Sequence, residues 1–141
     1  MAASSISADI QLVTFFLNGE EYGIDVMRVR EISSMTEITK TANSPHYIKG
    51  IINLRGSIVP ILSLRSRLGF PDTDDDSMSF IAVMDFKGEL TGFAIDEISD
   101  VIRIKRSDIQ PAMDSVAQPW IEGILNSGEK LIVLLNLEQL I

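Results

Sequence analysis

The sequence predicts an all-β protein, with a few short helices, that folds as two small barrels. Short runs of β-branched and aromatic residues alternate with turn residues about every 8–12 positions, as in barrels and sandwiches. Segments 47–64 and 120–137 share six identities without a gap. The ten residues that begin at Gly23 and at Gly92 also have apolar residues at matching positions. The chain therefore reads as two copies of one unit.

The copies fit one domain of residues 1–141, divided at about 10–75 and 76–141, and their termini could be intertwined. Residues 1–9 are predicted to be a flexible N-terminus. At half this length a unit buries too little surface alone, so the copies should share a hydrophobic core. They differ most where Leu54-Arg55-Gly56 aligns with Ser127-Gly128-Glu129.

The first copy opens with a predicted hairpin. Segments 11–17 and 21–26 read as strands, and Asn18-Gly19 between them is a strong turn signal. Segment 26–32 is ambiguous, because its apolar spacing fits a helical turn and its β-branched residues fit a strand.

The rest of the first copy contains two predicted helices and a hairpin. Segment 44–50 could form a short helix with Ser44 as its N-cap. Strands on either side of Arg55-Gly56 read as a hairpin, and Pro60 suggests an edge or a bulge there. Segment 63–70 reads as a short helix that ends near Gly69.

The second copy repeats this order. We expect a hairpin around Lys87-Gly88, a strand at 100–105, a polar connection at 107–119 and a final hairpin around Asn126-Ser127-Gly128.

The composition excludes several classes of protein. The formal net charge of −8 and the pI of about 4.5 disfavour nucleic acid and anionic membranes as partners. The absence of cysteine removes disulfides, thiol catalysis and thiolate metal sites. No signal peptide or apolar run of transmembrane length is visible, so we expect a cytoplasmic protein that does not insert into membranes.

The sequence gives only weak support for any catalytic or metal-binding site. The single histidine, His46, lies in a polar loop beside Pro45. The acidic run 72–77 matches the first ligands of a calcium loop but lacks its glycine and its bidentate glutamate, so it reads as a solvated linker. Asp96, Glu97 and Asp100 have no nucleophile beside them and read as a charged surface. We expect no catalysis, metal or cofactor.

Arg55 is the most informative single residue. It occupies a predicted hairpin turn, where Asn, Asp and Gly are usual. It could be an ordinary solvated arginine, or it could present its planar fork to a carboxylate. Glu31, at the end of the ambiguous segment, is a candidate carboxylate partner within the fold.

Four linked motifs over residues 10–141 make the chain resemble the CheW family of bacterial chemotaxis coupling proteins. They are FFLNGEEYGIDVMRVREI, SPHYIKGIINLRGSIVPILSLRSRLG, GFAIDEISDVIRI and WIEGILNSGEKLIVLLNLEQLI. The resemblance implies two five-stranded SH3-like β-barrels, related by internal duplication and packed around a common hydrophobic core. It also implies a non-catalytic adaptor that couples the cytoplasmic tips of chemoreceptors to the regulatory domain of a CheA-type histidine kinase.

The resemblance also carries site residues to this chain. It assigns receptor contact to Val29, Glu31, Ile32, Arg55, Gly56 and Val101, and it implies that Val101 could line a groove between the barrels. It assigns kinase docking to Ile38, Gly50 and Leu54. Two alternatives stay open, namely the coupling module of a larger signalling protein and a β-barrel enzyme that binds a small ligand.

Overall fold

The computed structural model describes residues 9–34, 36–71 and 80–141, except for the side chain at 127. Residues 1–8 and the acidic run 72–77, both singled out in the sequence, lie outside this part of the chain. The fold is mostly β, as predicted, with two sheets and a few short helices. Among the described residues, no helix is both long and apolar enough to cross a membrane.

The described residues form eleven strands. They are β1 (Asp9–Leu17), β2 (Glu20–Asp25), β3 (Glu31–Ser34), β4 (Ile48–Leu54), β5 (Ser57–Ser63), β6 (Phe80–Phe86), β7 (Glu89–Ile95), β8 (Ile98–Lys105), β9 (Ile109–Gln110), β10 (Ile121–Ser127) and β11 (Lys130–Leu135). One short α-helix, α1, spans Leu64–Arg67, and the 3-10 helices span Val26–Arg28, Arg106–Asp108 and Leu137–Leu140.

The chain divides into two compact units, each with its own sheet. Unit 1 comprises Met1–Met27 and Ile98–Ile141, and unit 2 comprises Arg28–Glu97. The sheet of unit 1 has the strand order β8-β1-β2-β11-β10-β9, and that of unit 2 has the order β3-β6-β7-β5-β4.

Each unit combines segments from both halves of the chain, because the hairpin that opens each half pairs with strands of the other half. The β1–β2 hairpin pairs with β8 and β11, whereas the β6–β7 hairpin pairs with β3 and β5. The sequence pattern identified the hairpins but not the strands beside which they would lie.

The repeated glycines occupy corresponding register positions in the two sheets. Gly92 of β7 lies opposite Ile61 of β5, and Gly23 of β2 lies opposite Leu134 of β11; both pairings are parallel. A Cβ atom on Gly92 would lie 2.6 Å from the Ile61 side chain. The strands approach closely at this point, so the position requires a residue without a side chain.

Each unit has an apolar cluster built from alternate strand residues. In unit 2 it contains Ile52, Val59, Ile61, Ile81, Val83 and Ala94. In unit 1 it contains Ile10, Leu12, Leu125, Ile132 and Leu134.

Two local predictions are wrong, and one ambiguous segment takes both of its predicted forms. Residues 44–50 form no helix, because the Tyr47 carbonyl accepts the Ser63 amide at 2.7 Å and β4 begins at Ile48. Segment 26–32 contains both predicted forms, a 3-10 turn followed by the start of β3. Asp9, assigned to the flexible terminus, is the first residue of β1 and pairs with Lys105.

Helix α1 begins and ends as its sequence predicts. The Ser63 hydroxyl accepts the Ser66 amide at 3.2 Å as an N-cap, and Gly69 follows the helix with a φ of 90°.

Candidate functional site

The candidate site is the tip of the β4–β5 hairpin in unit 2. Leu54 pairs with Ser57, so Arg55 and Gly56 form a two-residue loop. Their φ angles are 49° and 91°, both positive, as a type I′ turn requires. The Gly56 amide donates to the Asn53 side-chain oxygen at 2.9 Å, which fixes the turn.

Arg55 is an unfavourable choice for this backbone conformation. The left-handed region costs a residue with a Cβ about 1–2 kcal/mol, and asparagine is the usual residue there. The turn between β1 and β2 uses Asn18-Gly19 in the same conformation, with φ angles of 53° and 82°. An arginine at this position therefore costs some stability and gains an exposed guanidinium.

The Arg55 guanidinium forms an ion pair with the carboxylate of Glu31, so the predicted proximity of these residues is confirmed. The Arg55 side chain is 70% exposed and that of Glu31 is 26% exposed. Glu31 holds one side of the guanidinium, and the remaining donors face solvent. The arrangement presents an arginine fork in a defined orientation, which suits a carboxylate or carbonyl group on another protein.

The ion pair joins the two ends of the strand order. Glu31 is the first residue of β3, and Arg55 follows β4; β3 and β4 are the terminal strands of the five-stranded sheet of unit 2. Side chains from opposite edges can meet only if the sheet curls strongly.

The segment that carries Glu31 is held by a second ion pair. Arg30 Nη1 lies 2.7 Å from Asp85 Oδ2, and the Arg30 amide donates to the Val83 carbonyl at 2.7 Å. The other Asp85 oxygen accepts the Gly88 amide at 2.9 Å. The start of β3 is therefore tied to the β6–β7 turn, and this fixes the backbone from which Glu31 projects.

The other residues assigned to receptor contact lie in both units. Val29 precedes β3 and Ile32 lies within it opposite Ala82; both side chains are partly buried. Val101 belongs to β8 of unit 1, opposite Val13, and is 53% exposed. Unit 2 thus contains Val29, Glu31, Ile32, Arg55 and Gly56, whereas Val101 is placed separately.

The three residues assigned to kinase docking have packing roles in unit 2. Ile38 and Leu54 pack against its apolar cluster. Gly50 has a φ of 150°, and a Cβ there would lie 2.3 Å from the Thr39 carbonyl oxygen and 2.5 Å from Ile38 Cγ2. Position 50 therefore requires glycine for the fold itself, independently of any partner.

Ile58 is a candidate contact residue that the sequence reasoning missed. It lies in β5 opposite Asn53, close in sequence to Arg55, and is 69% exposed. Leu131, in the corresponding hairpin of unit 1, is 62% exposed. The signal was available, because Val59 and Ile61 are buried and strand alternation places position 58 on the other face.

The residues considered for catalysis make ordinary packing contacts and ion pairs within the described part of the chain. His46 is exposed and lies edge-on to Tyr47, with ring centroids 5.6 Å apart. Asp96 pairs with Arg65 at 2.7 Å rather than with another carboxylate. No group of three or more potential metal ligands occurs among the described residues.

The comparison with protein families decides the membership of this chain. The model for the CheW-like domain matches residues 11–141, which include the described strands of both units except the first two residues of β1. The chain belongs to the CheW family. The sequence-based resemblance to this family is thereby confirmed.

Individual relatives agree with this membership. The chemotaxis protein CheW of Klebsiella aerogenes is 34% identical over 134 residues, which are 93% of this chain and 81% of the relative. CheW of Bacillus subtilis is 32% identical over 139 residues, covering 94% and 87%. The solved structure of the scaffolding protein TtCheW from Thermoanaerobacter tengcongensis matches with a TM-score of 0.85 and 32% identity, covering 94% of this chain and 88% of that one.

Proposed function

We propose that this chain is a non-catalytic adaptor that couples chemoreceptors to a CheA-type histidine kinase in chemotaxis signalling. CheW family membership supports this function, as does the similarity to a solved scaffolding protein. The observation that carries it to particular residues is the exposed Arg55 guanidinium, oriented by Glu31 at the tip of a hairpin. An adaptor needs such fixed contact groups and no reacting ones.

The proposal includes a duplicated architecture of two SH3-like barrels. Three corresponding features support it: the parallel pairings of β5 with β7 and of β11 with β2, the glycines at those pairings, and a register shift at both Ile48/Gly50 and Ile121/Gly123. The Arg55–Glu31 contact between the edges of one sheet supports closure of that barrel. The entire chain would then be a single CheW-like domain.

The residues that contact the receptor would be Val29, Glu31, Ile32, Arg55 and Gly56 of unit 2 and, separately, Val101 of unit 1. Their partner would be the cytoplasmic tip of a chemoreceptor. The solvent-facing donors of Arg55 and the exposed Val101 side chain provide the mixed polar and apolar character of contact residues. Ile58 adds an exposed apolar group in the same hairpin as Arg55.

The kinase-binding face would include Ile38, Gly50 and Leu54, which meet the regulatory domain of the kinase. Because Ile38 and Leu54 are only partly buried, they can contribute to the unit 2 cluster and to a contact surface together. These partners would place the protein in the cytoplasm beside membrane receptors.

A co-sedimentation assay tests this function. Purified protein is mixed with a CheA-type kinase and a chemoreceptor cytoplasmic fragment assembled on vesicles, and pelleted kinase is measured. We expect kinase recovery and receptor-dependent kinase activity to require this protein. Recovery that is the same without it would contradict the adaptor function.

A coupling module within a larger signalling protein is the second candidate. The chemotaxis protein CheV3 of Helicobacter pylori is 26% identical over 148 aligned positions, and the alignment spans only 48% of that relative. CheW-like domains thus also occur in longer chains. The full-length gene product, measured by mass spectrometry from its own cells, separates these candidates.

A further inference from the structure

We propose that Arg103, Lys105 and Arg106 form a docking site for an acidic segment of a partner protein. The site lies on β8 and the 3-10 turn after it, and we name these three residues the basic strip. This proposal goes beyond the adaptor function, which assigns no role to any of the three. It rests on the charge distribution of unit 1 and on the geometry of β8.

The basic strip concentrates the positive charge of an otherwise acidic unit. Unit 1 contains four Lys and Arg residues against ten Asp and Glu residues, and three of the four cations lie within residues 103–106. In unit 2, by contrast, Arg30, Arg55 and Arg65 each pair with a carboxylate.

The cations of the basic strip are available to a partner. All three are exposed, and within the described residues none of them takes part in a salt bridge. In a chain with a net charge of −8, three adjacent cations without carboxylate partners need an explanation beyond solubility.

Strand alternation directs the charges outward. Ile102 and Ile104 pack against the apolar cluster of unit 1, so Arg103 and Lys105 project from the other face of β8. Residues two apart on one strand are about 6.6–6.8 Å from each other. An extended peptide with acidic residues at alternate positions has the same spacing and could place one carboxylate against Arg103 and the next against Lys105.

A depression beside the strip can receive the rest of such a segment. It has a volume of about 700 Å³, and Arg103, Lys105, Ser107, Gln110 and Asn126 contribute to its lining. Hydroxyl and amide side chains can bond to a peptide backbone, which offers both donors and acceptors. The depression lies between the two ends of the strand order, β8 and the β9–β10 pair.

The surrounding charges favour an acidic polypeptide over a polyanion. Asp9 and Asp108 also line the depression, and Asp100 lies on the same strand. A nucleic acid or an anionic membrane would bring phosphates against these carboxylates as well as against the cations. A peptide can place its carboxylates at the cations and uncharged residues beside Asp9 and Asp108, whereas a polymer or surface with regularly spaced phosphates cannot avoid these carboxylates.

Protection of the sheet edge is the competing explanation. β8 is a terminal strand of its sheet, and charged residues on such strands prevent edge-to-edge association. Either sign of charge gives this protection, whereas only positive charge attracts an acidic segment. Charge reversal therefore distinguishes the two explanations.

The test is an NMR titration of the isotope-labelled full chain with a blocked eight-residue peptide of alternating Glu and Thr. We expect saturable shifts centred on residues 103–106, Gln110 and Asn126. The double variant Arg103→Glu/Lys105→Glu should stay monomeric and bind at least tenfold more weakly. The matched control Lys130→Glu reverses the remaining cation of unit 1 and should change the affinity less than twofold.

Three further probes identify the class of ligand. The Gln-Thr counterpart of the peptide, inorganic phosphate and vesicles with about 30% phosphatidylserine should each bind at least tenfold more weakly than the Glu-Thr peptide. Equal or tighter binding of any of them overturns the proposal, as does a loss in Lys130→Glu as large as that in the double variant. No partner of the adaptor function takes part, so the two proposals can fail separately.

Discussion

Arg55 and Glu31 form an ion pair, although they belong to opposite ends of the strand order in the unit 2 sheet. An exposed ion pair contributes only about 0–1 kcal/mol to stability. The left-handed backbone of Arg55 costs about as much or more. The arginine therefore gives the isolated protein little net stability, and its position is better explained by contact with a partner.

Replacing Arg55 with asparagine should preserve or increase stability. Asparagine is better suited to the positive φ of 49°, so we expect a gain of up to about 1 kcal/mol in the free energy of unfolding, offset in part by loss of the Glu31 pair. Urea unfolding followed by circular dichroism measures the change. A loss of more than about 1 kcal/mol would show that Arg55 is structural.

Replacing Gly50 with alanine should damage the fold. The added Cβ would lie 2.3 Å from the Thr39 carbonyl oxygen, so overpacking adds to the backbone strain. We expect the free energy of unfolding to fall by about 2–4 kcal/mol. Gly56→Ala is the matched control, because Gly56 also has a positive φ but no atom within 4 Å of the added Cβ. Gly56→Ala should lower the free energy of unfolding by about 1–2 kcal/mol. Equal losses in urea unfolding would contradict the packing role of Gly50.

Two arginines of unit 2 should differ in their contribution to stability. Arg65 is 21% exposed, pairs with Asp96 at 2.7 Å and donates to the Pro71 carbonyl at 3.3 Å. Arg30 is 56% exposed, and its pair with Asp85 is also 2.7 Å long. We expect Arg65→Met to cost about 1–3 kcal/mol and Arg30→Met to cost about 0–1 kcal/mol. Calorimetric unfolding of the two variants that shows the reverse order would refute this assignment.

Tyr22 should make the protein sensitive to alkaline pH. Its burial raises the pKa of the phenol above its usual value near 10, and so do the hydrogen bond to Glu20 at 2.6 Å and the negative charge of that residue. The folded state therefore holds the proton more tightly than the unfolded state does. The resulting stability is fully present below pH 10 and is lost as the pH rises above 10.

The comparison of Tyr22 with phenylalanine isolates this effect. Tyr22→Phe removes the hydrogen bond to Glu20 and should lower the free energy of unfolding by about 1 kcal/mol near neutral pH. The difference in unfolding free energy between the two proteins should then shrink between pH 10 and 12. A difference that stays constant over that range would show that the Tyr22 hydroxyl does not couple folding to pH.

Local patterns in the sequence predicted most strands and the geometry at Arg55. The Xaa-Gly pairs at Asn18, Arg55 and Lys87 all form two-residue turns with positive φ, because glycine readily adopts the positive φ of the second turn position. Glu31 was named from the sequence as a candidate partner of Arg55, although no local rule relates residues 24 positions apart.

The pairing of the β1–β2 hairpin with β8 and β11, and of the β6–β7 hairpin with β3 and β5, could not be predicted from periodicity. The alternation of apolar and polar residues specifies which side chains are buried. Because β1 and β6 both have an apolar face, the local sequence does not determine which strands pair with each of them. The failed helix at 44–50 has a related cause. Ser44 suits the start of a helix, but the Tyr47 carbonyl accepts the amide of Ser63, which is distant in sequence.

Arg55→Ala in a combined thermal melt and receptor–kinase co-sedimentation assay tests the adaptor account most directly. Lys87→Ala is the matched control, because Lys87 also precedes a glycine in a turn and has a φ of 54°. We predict that both variants melt within a few degrees of the unmodified protein, and that only Arg55→Ala reduces kinase recovery, at least several-fold, as the loss of an interface arginine does. Early unfolding of Arg55→Ala, or kinase recovery equal to that of the unmodified protein, would contradict the account.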